Sequence, residues 1–310
     1  MNKKGFEMSF SWLFAIIVGA IILFLAISSI SKISDNQTYT NNIKTSSTID
    51  VLANKFELGY ESSAVSKIKL PSDSKLDLEC NNNPPFGKQK LIVDSEFFDK
   101  WSDTGNGVSS ENKYFFFDRP LEAREMIVFS KVFEFPFKVA TLNYFIPASE
   151  QYCFVEPIPE VVDELEKNNI SNFELQDSLE ECSSEAKTIC FQDDEDCDIF
   201  VSNMKGYVFK GSYRVSYGNV ALMFAAIFSD QKTYECQLSR LMSRTNSLAE
   251  IYLEKIDMDS IQGCNSNQKA PLDQLILGIS EMEDSDDLQN LIPAVTILER
   301  NSRGGGCALW

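Results

Sequence analysis

The chain has no histidine. That absence removes Ser-His-Asp and Cys-His catalysis, histidine-ligated zinc and the common pH switch near neutrality. Any enzymatic reading must run on carboxylates, lysine, tyrosine, cysteine or a Ser-Lys pair. Basic residues are also scarce, 28 against 46 acids, for a net charge of −18. Such a chain lacks the basic face that nucleic-acid phosphates require, and it has no peripheral grip on anionic lipid. No C-x-x-C pair points to zinc or thiol exchange, and no internal repeat is visible. What is present is a core: 44% of the 310 residues are hydrophobic and 23 are phenylalanine, too apolar for a disordered chain.

Apolar character is concentrated first at the N-terminus. Lys3 and Lys4 precede Gly5, Phe6 and Glu7, and no charged residue follows from Met8 to Ser31. A bilayer core takes roughly 20 apolar residues as a helix, whose backbone groups bond internally. A secretory signal peptide has an apolar region of roughly 7–15 residues, and a helix packed against a core on one side would show a polar stripe. The expectation is a basic leader over 1–7 and a single transmembrane helix over 8–33. Lys3, Lys4 and the α-amino group outweigh Lys32 and Lys44, which stand near Asp35 and Asp50. The N-terminus should therefore be cytoplasmic and the bulk of the chain extracytoplasmic, a single-pass protein of the cell membrane.

The start KKGFEMSFSWLFAIIVGA resembles the class III signal sequences of archaeal and bacterial type IV pilin-like proteins. That resemblance implies cleavage between Gly5 and Phe6 and an apolar helix serving as anchor or filament core. The glutamate that such proteins carry five residues into the mature chain is replaced by Phe10, and the acid here, Glu7, is second. GFEMSFSWLFAIIVGA, with YECQLSRLMSR over 234–244, also resembles single-span archaeal surface proteins of unassigned function.

Eight cysteines follow the anchor: Cys80, Cys153, Cys182, Cys190, Cys197, Cys236, Cys264 and Cys307. In an exported domain an even set reads as disulfides. The expected links are a short loop within Cys182, Cys190 and Cys197, and a bridge from Cys236 to Cys264 or Cys307. Asn36-Gln37-Thr38 and Asn169-Ile170-Ser171 are N-glycosylation sequons.

A polar stalk is expected over 34–48, an extracytoplasmic α+β domain over 49–301 and a flexible tail over 302–310. The polar run is a stalk or a continuation of the anchor helix, its Thr, Asn and Ser content favouring a partly extended tether, and residues 50–58 fit a short helix. Pro71 to Ser74 and Asn81 to Pro85 read as loops, with a short strand, LDLEC, between them. Residues 89–155 hold the aromatic and β-branched runs of strands, at 90–93, 113–117, 125–135, 141–146 and 152–155. Pro157 to Asn168 opens as a helix. Strands follow at 188–191 and 198–201, then a hairpin turning at Lys210-Gly211-Ser212. Residues 219–256 read as one long helix, and two more cover 272–281 and 286–301. Strands and helices mix too irregularly for a doubly wound sheet, so the class is α+β, β-rich and then helical.

Asp194, Asp196 and Asp198 alternate as calcium ligands do, but an EF-hand begun at Asp194 would need Gly and Glu where Ile199 and Lys205 stand. They remain the metal candidates. The S-x-x-K matches at Ser29 and Ser184 lack K-T-G, and Cys307 to Trp310 only imitates a prenylation box. No catalytic residue or cofactor site is predicted. The expected function is a structural or interaction protein, pilin-like or part of a cell-envelope complex, with the bilayer and envelope proteins as partners and no nucleic acid. The alternatives are an anchored hydrolase using paired carboxylates and a tethered solute-binding domain.

Overall fold

The computed structural model describes residues 10–59, 63–83, 85–97, 100–102, 107–192, 196–261, 267–303 and 310. The leader, with Gly5 and Phe6, lies outside them.

Helix α1 (Phe10–Gly59) runs 50 residues without interruption, about 75 Å at 1.5 Å per residue. The stalk is therefore helical and not extended. Its Thr, Ser and Asn content disfavours helix, but tertiary packing overrides propensity. Asn42, Ser46 and Ile49, spaced along one helix face, are buried in the domain. Ser46 and Thr48 satisfy their hydroxyls on carbonyls one turn back, at 3.0 and 2.8 Å. At the other end of the helix Trp12, Phe14, Ile16, Ile21, Leu23, Phe24 and Ile27 stand exposed. Among the described residues no helix is long and apolar enough to cross a membrane; the described side chains of the apolar run reach from Trp12 to Ser28.

Two sheets follow. The first contains β1 (Ser63–Asn81), β2 (Lys88–Phe97), β3 (Lys100–Trp101), β4 (Gly107–Ser110), β5 (Tyr114–Phe116), β6 (Leu121–Glu134) and β7 (Lys138–Pro147). Its order is β3-β2-β1-β6-β7-β5, with β4 also on β2. All pairs are antiparallel except β5 with β7. Pro71 to Ser74, expected as a loop, lies inside β1, where the register against β6 shifts between Lys69 and Ser74. An irregularity of that kind is where a strand tolerates proline.

Both faces of this sheet are covered, so alternate residues enter different cores. Phe115, Phe117, Val128 and Phe145 join Ile49 of α1 in one cluster. Tyr114, Phe116, Phe129 and Tyr144 join the larger one on the opposite side. This is why the run KYFFF carries no polar alternation.

The second sheet contains β8 (Tyr152–Val155), β9 (Phe173–Gln176), β10 (Lys187–Cys190), β11 (Ile199–Ser202), β12 (Tyr207–Lys210) and β13 (Tyr213–Ser216). Its order is β13-β12-β11-β10-β8-β9. The β12–β13 hairpin turns at Gly211, whose φ of +57° suits glycine. Helix α2 (Pro159–Asn168) connects β8 to β9.

Helices α3 (Val220–Phe228), α4 (Gln231–Ile261), α5 (Lys269–Glu281) and α6 (Leu288–Arg303) complete the chain. The single long helix expected over 219–256 is thus two, divided at Ser229-Asp230. From Ala221 to Phe228 every residue of α3 is buried, and α3 packs on β6 and β7 of the first sheet and β12 of the second. An apolar nonapeptide with no polar face is what a helix between two sheets requires. Trp310 closes on the rings of Phe137 and Tyr252, while residues 304–309 of the expected tail lie outside the described residues.

Among the described residues three disulfides bind the α+β domain. Cys190–Cys197 is the short loop expected, and Cys153–Cys182 is a second local link. Cys236 pairs with Cys80, which corrects the bridge expected from it to Cys264 or Cys307. The reason is β1: at 19 residues it carries Cys80 to α4, a reach that its apparent division into short pieces concealed. Cys264 and Cys307 lie outside the described residues.

Candidate functional site

The densest group of charges sits where α3 ends and α4 begins. A helix C-terminus leaves carbonyls unbonded and a helix N-terminus leaves N–H groups unbonded, with partial charges to match. Lys210 of β12 serves the first end: its Nζ donates to Ile227 O at 3.1 Å and to both oxygens of Asp118 at 2.6 and 2.7 Å. Asp230 serves the second, accepting the Thr233 N–H at 3.0 Å and the Thr233 hydroxyl at 2.7 Å. Arg119 donates to the two Asp230 oxygens through Nε and Nη2, each at 2.9 Å. The adjacent residues Asp118 and Arg119, in the β5–β6 turn, thus hold the two charged side chains that serve these helix ends, Asp118 pairing with Lys210 and Arg119 with Asp230.

Burial pushes the Asp230 carboxyl up, but the bonds from Arg119 and Thr233 outweigh it and hold the group below its usual range. Burial lowers the Lys210 ammonium, and Asp118 offsets part of that. Each carboxylate already has a cationic partner. The cluster is built to clamp two sheets and two helices together, and it leaves neither acid free to act as the base or nucleophile of a paired-carboxylate hydrolase.

A second buried polar group lies along α4 and accounts for YECQLSRLMSR. The Tyr234 hydroxyl donates to Ser216 O at 2.6 Å. Glu235 accepts from the Ser285 N–H at 3.0 Å and its hydroxyl at 2.6 Å. Cys236 bonds Cys80. The Gln237 amide donates to Gln89 Oε1 at 2.6 Å and Phe115 O at 3.2 Å. Leu238 and Leu241 are core. Arg240, fully buried, donates to Lys113 O at 3.0 Å and Glu111 O at 2.8 Å, with its guanidinium 4.8 Å from the Tyr114 ring centre. The motif is therefore a row of fasteners, each reaching a different element.

The same network curls the first sheet. Gln89 on β2 accepts from the Phe115 N–H at 3.2 Å and donates to Ser110 Oγ at 3.2 Å, so β5, at the far end of the strand order, is drawn against β2. Lys113, beside them, is buried and reaches both the carboxylate and the carbonyl of Asp50 on α1. Asn42 of α1 donates to Ser102 Oγ at 2.8 Å and accepts from Ser95 Oγ at 2.5 Å. The C-terminal part of α1 is thus locked to the sheet by polar groups as well as by Ile49.

Of the three calcium candidates, two lie among the described residues. Asp198 accepts from the Thr188 N–H at 2.8 Å and hydroxyl at 3.0 Å, tying β10 to the start of β11; Asp196 is exposed, and Asp194 lies outside the described residues. Among the described residues no three acidic or thiol side chains are gathered as a metal would need. The outer face of the second sheet is divided. The loop bearing Leu179, Cys182 and Ala186 covers Cys153, Val155 and Cys190. Beyond it Phe200 and Phe209 stack at 5.4 Å, and with Met204 and Asp198 they line an open groove.

No protein-family model, curated protein or solved structure matches this chain. Its reading therefore rests on its own residues. The fastening residues Arg119, Lys113, Lys210 and Arg240 were not marked by sequence reasoning. The available signal was the pairing of a lone basic residue with an otherwise apolar neighbourhood, as in VFKGSY and QLSRLM, since buried charges must be paired.

Proposed function

We propose that this is a single-pass, membrane-anchored protein that holds a disulfide-bonded α+β domain outside the cell and acts through protein contacts in the envelope, in a pilin-like or related assembly. The observation that carries the reading is α1, one uninterrupted helix whose two ends have opposite surroundings. Its N-terminal part exposes Trp12, Leu13, Phe14, Ile16, Ile17, Ile21, Ile22, Leu23, Phe24, Leu25 and Ile27. Leaving such side chains in water costs roughly 1.5–3 kcal/mol each, on the order of 20 kcal/mol together, so a lipid or protein environment must cover them. In the sequence, the uncharged run Met8–Ser31 exceeds the roughly 20 residues a bilayer needs.

Further along the helix Asn42, Ser46 and Ile49 are buried in the domain, and Asn42, Ile49 and Asp50, the last through Lys113, pin it there. A helical connection at 34–48 fixes the domain's position relative to the anchor, whereas a loose tether would let it swing. Fixed presentation suits an assembled complex better than a free solute receptor. Three disulfides support an oxidising location.

The test is fractionation of cells expressing the full chain, with a carbonate wash of the membranes and external protease on intact cells. The expected result is retention in the washed pellet with the domain open to the protease. Release by carbonate, or cleavage only after lysis, would overturn the reading.

A further inference from the structure

The chain carries two N-glycosylation sequons, and the fold treats them in opposite ways. Asn36-Gln37-Thr38 lies within the continuous helix α1. That backbone is helical, with no turn to present the tripeptide, and on a helix residues two apart lie on different faces. Asn169-Ile170-Ser171 begins where α2 stops. Asn169 is the C-cap, in the left-handed conformation at φ 44° and ψ 55°. Ile170 is buried at 5% exposure, while Asn169 and Ser171 on either side are exposed. The middle residue thus pins the tripeptide to the core, and the acceptor amide and the hydroxyl are both left on the solvent side. The backbone N–H of Asn169 bonds Leu165 O at 2.9 Å, which leaves the side-chain amide outside the helix's own bonding.

We propose that Asn169 is an N-glycan acceptor of this protein and that Asn36 is not. The ligand class is an oligosaccharide carried on a lipid pyrophosphate. In the transfer, the Asn169 amide nitrogen forms a bond to the anomeric carbon, and the bond from that carbon to the pyrophosphate oxygen breaks. The amide proton passes to the transferase's base, and the lipid pyrophosphate leaves. The glycan then stands four residues before the start of β9, an edge strand of the second sheet, where it shields backbone groups that could otherwise pair with another chain.

The proposal rests on the exported reading, and one substitution separates the two. Lys205→Ser creates a sequon beginning at Asn203 in the β11–β12 turn, beside the fully solvent-facing Met204 at 98% exposure. The full chain is translated with glycosylation-competent microsomes and analysed by mobility before and after glycosidase. The expected result is one glycan on the natural sequence, lost in Ser171→Ala and in Asn169→Gln, kept in Ser171→Thr and Thr38→Ala, and joined by a second in Lys205→Ser. The use of two substitutions at different positions separates loss of the acceptor from a folding defect at the C-cap. A glycan on the Lys205→Ser chain alone, or one lost with Thr38→Ala, overturns the proposal while export stands. No glycan on any chain overturns both.

Discussion

Replacing Arg240 by alanine should be among the most damaging single changes in the domain. Its guanidinium is fully buried and supplies donors to the carbonyls of Lys113 and Glu111 and to Gln237 Oε1. Burial lowers its pKa, with Tyr114 and Glu111 opposing the shift; no carboxylate bonds it directly among the described residues, so these neutral acceptors hold its charge. Alanine leaves the two carbonyls without that donor, at about 1–3 kcal/mol each, and removes the packing against Tyr114. The expected loss is about 3–5 kcal/mol. In a domain of this size about 2–4 °C of midpoint accompanies each kcal/mol, so the thermal transition of the detergent-solubilised full chain, followed by near-ultraviolet circular dichroism, should fall by roughly 10 °C. Arg240→Lys should recover only part of this, because an ammonium cannot span both carbonyls as a planar fork does. Arg244→Ala, four residues on and only partly buried, is the control and should cost less than about 1 kcal/mol. Equal small effects of Arg240→Ala and Arg244→Ala would refute the idea that the motif over 234–244 is a row of fasteners.

Loss of Cys80–Cys236 should cost more than loss of Cys190–Cys197. The separations of 156 and 7 residues give about 5 and 2 kcal/mol by chain entropy, measurable as urea midpoints of the paired serine variants. Asp230 and Glu164 both titrate below their usual range because bonds from Arg119 and Lys131 outweigh their burial. Their stabilising contribution is therefore present above the unfolded carboxylate range and lost as pH falls from that range through the lower folded values. Melting against pH should show this, and Asp230→Asn should flatten the acid limb. A double-mutant cycle of Asp118→Ala with Lys210→Ala should give a coupling of about 1 kcal/mol, modest because the Asp118 side chain is 45% exposed. Lys210→Ala alone should cost more than Asp118→Ala, since it also leaves the Ile227 carbonyl without its donor.

The strands between Lys90 and Val155 were legible because their aromatic and β-branched runs are dense and turn residues separate them. The Gly206–Val215 hairpin was legible from its Lys-Gly-Ser turn, and α3 from an apolar run too short for a membrane. Other features depend on distant parts of the chain. The helical state of residues 34–48 is stabilised by Asn42 and Ile49 meeting the sheet, which no local propensity encodes. Pro71 in β1 is accommodated by a register shift against β6. The division at Ser229-Asp230 is fixed by Lys210 and Arg119, brought from two other elements to two helix ends. The pairing of Cys236 with Cys80 follows from the length of β1, and the carboxylates that sequence offered in abundance are resolved into ion pairs only by the fold.

The most direct test of the account is mass spectrometry of the full chain extracted from membranes, alkylated with and without prior reduction. The account predicts loss of residues 1–5, and alkylation of Cys80, Cys153, Cys182, Cys190, Cys197 and Cys236 only after reduction. An intact N-terminus with these six cysteines alkylated without reduction would contradict it, returning the domain to a reducing compartment.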